Sequence, residues 1–341
     1  MGRRRRKIWV VARFVSALVV LPVAALAVAG CGGGMKAASK GHTTSLSVSC
    51  PTRSDASSSA NLLWVAGKQP LVYYVHGRKL ISSAGRGAAL PPGAIPVGFR
   101  SCSTPLFLYT VGTELRASAL AGGRQTLTVG NNSAVAPDGR LLSFSGSKVG
   151  YVGGTSFVAR GLPVNWKITS IAVSPRDPHV FLAAAQSPEA GIETCGKGLG
   201  GIYRITPTGA RAVFVDNPCR DHPQAAFSPN GATISYVGGP TASLYAMDSS
   251  GVHLRRVTSA GGVTRYLWSP DGTRIAFGTK SGAVAILTLA SGAVRELGRG
   301  APLAWSPDGR EVALAAAGKS VIDAVPAAGG RSHVLLRLQK S

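Results

Sequence analysis

A recurring turn constrains this chain more than its composition does. Residues 268–277 read Trp-Ser-Pro-Asp-Gly-Thr-Arg-Ile-Ala-Phe. Pro270 presets φ for the second position of a type I turn, Asp271 follows it, and Gly272 takes the fourth position such turns favour. Beyond the turn, Ile275 and Phe277 point to one side and Arg274 and Ala276 to the other, the period-two pattern of a half-buried strand. With the proline as reference, the turn returns as Ala136-Pro137-Asp138-Gly139, Ser174-Pro175-Arg176-Asp177, Ser228-Pro229-Asn230-Gly231 and Ser306-Pro307-Asp308-Gly309. Its flanks return too. Val135, Val173, Phe227, Trp268 and Trp305 stand two residues before each proline, and Leu142, Val180, Ile234, Ile275 and Val312 five residues after. One Pro-Asp-Gly turn is common loop chemistry; five with apolar residues at fixed offsets are a repeat.

The reference prolines are 38, 54, 41 and 37 residues apart. Units of about 40 residues made of short strands and turns are the signature of four-stranded propeller blades. Later strands recur as well, at 243–247, 283–287 and 320–324, each followed by a hairpin turn at 248–251, 290–292 and 327–330. Extrapolating backwards gives two units without the Pro-Asp-Gly turn, near Ala60 and Phe99. The expected fold is therefore all-β, a propeller of four-stranded antiparallel blades, with seven blades favoured over six or eight. A ring must also close, and residues 45–48 are expected to pair with the last unit near 333–338. The 54-residue interval is expected to hold a loop insertion at about 186–201, and loops of that length on rigid scaffolds often bind ligands.

These repeats resemble the TolB-like, PD40-type (WD40-like) β-propellers, whose units carry an aromatic-Ser-Pro-Asp-Gly turn before an Ile-Ala-Phe-like strand. The resemblance covers residues 133–341 well and the earlier part weakly. It implies protein or peptide binding as the function.

The amino terminus reads as an export signal: Arg3, Arg4, Arg5, Arg6 and Lys7 precede an apolar run over 14–28. Val28-Ala29-Gly30-Cys31 resembles the cleavage box of a bacterial lipoprotein signal peptide, which implies that Cys31 becomes the lipid attachment site. The alternatives are an uncleaved membrane anchor and a plain secretory signal. The domain reading is signal peptide 1–30, flexible tether 31–44 and one propeller domain 45–341. The localisation read from it is the outer face of the cell membrane, lipid-anchored, or secreted if the cleavage box is not used.

Cys50, Cys102, Cys195 and Cys219 form an even set in an oxidising compartment, which reads as disulfides. Three pairings exist; Cys50 with Cys102 and Cys195 with Cys219 each clip neighbouring segments, and free thiols remain the alternative. No pair has the short spacing of a zinc module, so no metal site is read. The formal charge is +23, or +17 without the six basic residues before position 14. Outside the cytoplasm that charge suits anionic wall polymers, lipids or acidic proteins, not nucleic acid. Dispersed arginine without a partner is the competing explanation.

Other chemistry was sought and rejected. Gly196, Gly198 and Gly201 fit a dinucleotide-binding spacing, but a strand rather than a helix follows them. The six histidines stand one to a region, and no Gly-x-Ser-x-Gly elbow is present. Asp138, Asp271 and Asp308 read as turn stabilisers, not Ca²⁺ ligands. The main functional expectation is a non-enzymatic, membrane-tethered scaffold without a cofactor that binds an envelope protein or peptide. The alternatives are a propeller enzyme of lyase or lactonase type with its site in the central channel, and a basic adhesin for anionic wall polymers or lipids.

Overall fold

Seven antiparallel sheets follow one another along the chain, over 56–89, 94–127, 132–158, 167–216, 225–256, 263–299 and 301–337. In this computed structural model the described residues are 56–338 except 59–61, 68–69, 86, 101–105, 112–113, 121–123, 128–131, 137–139, 152–153, 188–199, 217–224, 240, 260 and 317–319. Six sheets have four strands and the first has five, each paired with its sequence neighbour. First strands touch the first strands of adjacent sheets, as 263–268 touches 301–305, so they surround the axis and the later strands step outward. This is a seven-bladed β-propeller. Among the described residues no helix is long and apolar enough to cross a membrane.

The blades hold together through apolar faces that no single sheet can bury. Ile275 and Phe277 pack against Leu244 of blade 5, while Ala276 and Ile286 pack against Trp305 and Leu314 of blade 7. The strand after the turn is thus buried on both sides over 275–278, not half-buried as its alternation suggested. The alternation distinguishes one neighbouring blade from the other, because a propeller blade has no solvent face at this depth. Indole hydrogen bonds add direction: Trp268 Nε1 donates to Ser235 Oγ of blade 5 at 2.8 Å, and Trp305 Nε1 to Leu267 O of blade 6 at 3.0 Å.

The ring closes by the same packing. Leu62, Trp64, Val72 and Tyr74 of blade 1 meet Leu303, Ile322 and Leu336 of blade 7. Residues 45–48, read as the closing strand, lie outside the described residues, and blade 7 draws its four strands from 301–337 alone. The first blade departs from the four-strand expectation. Trp64 pairs with Val72 as Trp268 pairs with Ile275, so Leu62–Val65 is the first strand of the repeat and Gly87–Ala89 its fourth; the extra strand is the short Ala56–Ser58, which pairs with Leu63–Val65 ahead of them. The long interval also differs from its reading. Gln186 pairs with Gly200 and Ala185 with Gly201, so the strands Phe181–Gln186 and Gly200–Thr206 take both ends of the expected insertion. Only 187–199 connects them, and 188–199 lies outside the described residues.

The seam gives a direct test of closure by packing. Trp64 is 3% exposed in that cluster, so Trp64→Ala should cost about 3–5 kcal/mol in denaturant unfolding. Val164→Ala, at a side chain 86% exposed, should stay within about 0.5 kcal/mol. Equal effects would show that the seam is not under packing load.

Candidate functional site

The recurring turns form one construction. In blade 6, Gly272 N donates to Ser269 O at 2.9 Å to close the turn, and Ser269 Oγ donates to Asp271 Oδ1 at 2.5 Å. Asp271 Oδ1 also accepts from Thr273 N at 3.1 Å, and Ser269 Oγ accepts from Arg274 N at 2.9 Å. Asp308 repeats this with Ser306 and Arg310, and Asn230 with Ser228 and Ala232. Gly231, Gly272 and Gly309 have φ of 66°, 70° and 70°. A side chain at Gly272 would meet Asn230 at 3.3 Å and Pro229 at 3.5 Å, and one at Gly309 would meet Pro270 at 3.5 Å. The turns thus stack from blade to blade, each leaning on the proline of the one before. The aspartates are occupied by this task.

Their ionisation shows it. Burial opposes the charge on Asp271, but bonds from Ser269 and Thr273 and the Arg274 guanidinium hold its pKa below the ordinary value. For Asp308 the Ser306 hydroxyl is the largest cause of a lowered pKa.

Pro137, Asp138 and Gly139 lie outside the described residues, as do Cys31, Cys50, Cys102, Cys195 and Cys219. Among the described residues the histidines stay apart. His253 Nδ1 sits 2.7 Å from Asp248 Oδ2, and His333 Nδ1 3.5 Å from Glu311, each an isolated pair near the surface. Gly201 lies within the strand Gly200–Thr206, so no helix follows the glycines there. Among the described residues no three His, Cys, Asp or Glu side chains gather as a metal centre would require.

What converges is arginine. A cleft of about 330 Å³ between blades 4 and 5 is lined by Arg176, Arg204 and Arg211 together with Asp177, Val213, Phe227, Ser249 and Ser250. Sheet registers show why blade 4 differs. Arg204 pairs with Leu182 and Arg211; the equivalent third-strand residues are Ala246, Ile286 and Ala324 in blades 5, 6 and 7. Those three are buried, at 2%, 3% and 0% exposure. A guanidinium thus stands where the repeat places an apolar contact with the next blade. Arg176 stands where the other turns carry Asp271, Asn230 and Asp308. It donates from Nε to Asn230 O at 2.6 Å, and its side-chain carbons lie against Gly231.

Arg211 is equivalent to Arg255 and Arg295. Arg255 donates to Leu289 O at 3.2 Å and Arg295 donates to Ala328 O, both in the outer turn of the following blade. The matching turn of blade 5 holds Ser249 and Ser250, yet Arg211 makes no such bond among the described residues, and the cleft opens between them. The sequence carried a signal for this site. Arg176 visibly breaks the Pro-Asp pattern, but Arg204 and Arg211 emerge only when strand registers align the blades.

Two wider clefts are plainer. One of about 630 Å³ is framed by the loop 159–167, where Trp166 meets the Tyr203 ring edge-on at 6.0 Å. The other, about 790 Å³, lies between the outer strands of blades 1 and 7, where Leu80, Ile81, Val334, Leu335 and Leu336 line it together with Lys79, Ser82, Ser83 and Arg337.

No protein-family model matches this chain, and no curated protein matches its sequence. Among solved structures, an oligogalacturonate lyase in complex with manganese aligns with a TM-score of 0.57 and 13% identity, over 83% of this chain and 86% of that one. An oligogalacturonate lyase from Vibrio parahaemolyticus aligns with a TM-score of 0.54 and 10% identity, over 84% and 88%. At such identities the likeness is one of fold.

The turn aspartates give a pH prediction. A carboxyl whose pKa is lower in the folded state adds stability that is complete above the unfolded value, about 3.9, and is lost as pH falls through the folded one. Thermal melts of the wild type should therefore drop as pH falls below about 4. The Asp271→Asn, Asp308→Asn double variant keeps the Oδ1 acceptor, as Asn230 does, and should show a shallower fall; an unchanged slope would refute the assignment.

Proposed function

We propose that this propeller is an extracytoplasmic binding scaffold, held at the outer face of the membrane through a lipid on Cys31, that captures an anionic partner of the cell envelope. The convergence of Arg176, Arg204 and Arg211 on one interblade cleft carries the reading. A cleft whose charged side chains are mostly guanidiniums is suited to hold an oxyanion and offers few groups to act as general acid or base. The net charge of +17 after the signal segment adds long-range attraction toward anionic polymers and acidic proteins. The TolB-like character of the repeats supports binding as the task, and the disulfide pairs Cys50–Cys102 and Cys195–Cys219 belong to the same extracytoplasmic reading.

A second reading, a lyase acting on acidic oligosaccharide, is favoured by the aligned structures, which are oligogalacturonate lyases. Manganese accompanies one of them. The described residues here bring no comparable set of ligands together, so no step through a metal is assigned to this chain. Turnover of oligogalacturonate by the purified mature protein, seen as the conjugated double bond that elimination leaves, would move the lyase reading ahead.

The tether and the capture are tested together in cells. Cys31→Ala should shift the protein from the membrane to the soluble fraction, and retention with normal cleavage would remove Cys31 as the anchor. Crosslinking from a photoreactive residue at Ser250, with mass spectrometry, should recover an anionic polymer or acidic protein that is lost in Arg204→Ile. Recovery unchanged in that variant would end the assignment of capture to this cleft.

A further inference from the structure

We infer that the cleft between blades 4 and 5 is a phosphoryl-binding site, selective for a phosphate group that retains one proton. This rests on reading the cleft as the place of anion capture and names the group captured. Three guanidiniums reach it from three separate segments: Arg176 from the blade 4 turn, Arg204 from the third strand and Arg211 from the fourth. A planar carboxylate is satisfied by one guanidinium fork. Two guanidiniums side by side on one sheet, and a third whose Nε is held by Asn230 O, supply more donors than a carboxylate takes and suit a tetrahedral oxyanion.

Charge points the same way. Arg204 and Arg211 are directly opposite in the sheet register, and like charges in that position destabilise a strand pair. Neither has an acidic partner among the described residues. With Asp177 the lining carries a formal charge of two positive units, which a hydrogen phosphate dianion neutralises fully and a singly protonated phosphate monoester neutralises by half.

Asp177 supplies the selectivity. It lines the cleft, and its Oδ1 accepts from His179 N at 2.8 Å, which leaves Oδ2 to accept a further bond. A carboxylate can only accept hydrogen bonds. It therefore favours an anion with an O–H to donate and repels one with none, so hydrogen phosphate is accepted over sulfate. Ser249 also lines the cleft and adds a hydroxyl, while the Ser250 hydroxyl is given to Asp248 Oδ1 at 3.3 Å. The volume of about 330 Å³ is roughly ten times that of a water molecule in the liquid. It leaves room for a phosphate and for the chain that bears it.

The probes are inorganic phosphate, sulfate, acetate and a soluble sugar phosphate monoester, titrated calorimetrically at constant ionic strength into purified full-length mature protein. Inorganic phosphate should bind, acetate should not, and sulfate should bind at least tenfold more weakly. Arg204→Ile restores the residue type that blade 6 carries at the equivalent Ile286. It should hold or raise the melting temperature and weaken phosphate binding at least tenfold, and Asp177→Asn should narrow the gap between phosphate and sulfate. Binding of the monoester near pH 6 that fades as its proton leaves identifies a phosphorylated polymer end as the source; binding of inorganic phosphate alone identifies the free ion. No heat with millimolar phosphate, or phosphate binding unchanged in Arg204→Ile, overturns the inference. If phosphate fails to bind while Arg204→Ile still abolishes envelope capture, this inference falls and the scaffold reading stands. If phosphate binds at the cleft but capture ignores Arg204→Ile, the reverse holds.

Discussion

A sheet that is apolar on both faces cannot be stable alone in water, and every blade here is such a sheet. Ile275 and Phe277 need blade 5 as much as Ala276 and Ile286 need blade 7. The first strands must therefore gather around an axis, and the chain must come back on itself so that the first and last blades meet. The seam at Trp64 and Leu303 is the same interface that all neighbours make, formed between residues distant in sequence. Hydrophobic packing sets the ring, and hydrogen bonds between blades aim it: the indole bonds of Trp268 and Trp305 and the arginine bonds from Arg255, Arg274 and Arg295 each end on an atom of an adjoining blade.

Repetition made much of this legible before any coordinates. The period, the Ser-Pro-Asp-Gly turn and the apolar residues flanking it point to an all-β ring and favour seven units over six or eight, and the strand Ala283–Thr288 and the turn after it fall where their spacing put them. Two blades without the turn were still visible from their apolar runs, because a second strand buried on both sides, such as Leu106–Val111, reads as a continuous hydrophobic stretch. What failed to be legible depends on contacts that the repeat does not encode. Alternation at Arg274 and Ala276 mimicked a solvent-facing side, since period two reports which face a residue is on and not what covers that face. The extra strand of the first blade, Ala56–Ser58, is three residues of Ala and Ser with no apolar pattern of its own, and it precedes the first unit that the repeat marks.

The candidate site was partly legible. Arg176 interrupts the turn pattern in plain view, yet its meaning depends on Arg204, twenty-eight residues further on, and on Arg211. Only the pairings of Leu182 with Arg204 and of Arg204 with Arg211 bring the three together. Cross-strand registers across a long connection are invisible to local pattern, because the connection's length decides them.

Composition alone does not account for this arrangement. A chain with 37 Lys and Arg against 14 Asp and Glu will carry arginines on most of its surface, and surplus arginine placed without constraint would interrupt the repeat in every blade. Here the interruptions coincide. The turn position that favours Asp or Asn and the third-strand position filled by Ala246, Ile286 and Ala324 are both given to arginine in blade 4, and both side chains enter one interblade cleft. Placing a guanidinium at that strand position forgoes apolar burial of about 1.5–3 kcal/mol for a large side chain such as Ile286. Placing Arg176 in the turn gives up the serine-to-carboxylate bond that organises blades 6 and 7. Arg211 meanwhile leaves unmade the bond to the next blade that Arg255 and Arg295 form. The lost burial at Arg204 and the unmade bond at Arg211 weaken the interface between blades 4 and 5, Arg176 spans it through Asn230 O, and all three residues line the same cleft. A bound oxyanion offsets them together, by neutralising the arginines and bridging the two blades where the repeat's own contacts have been withdrawn.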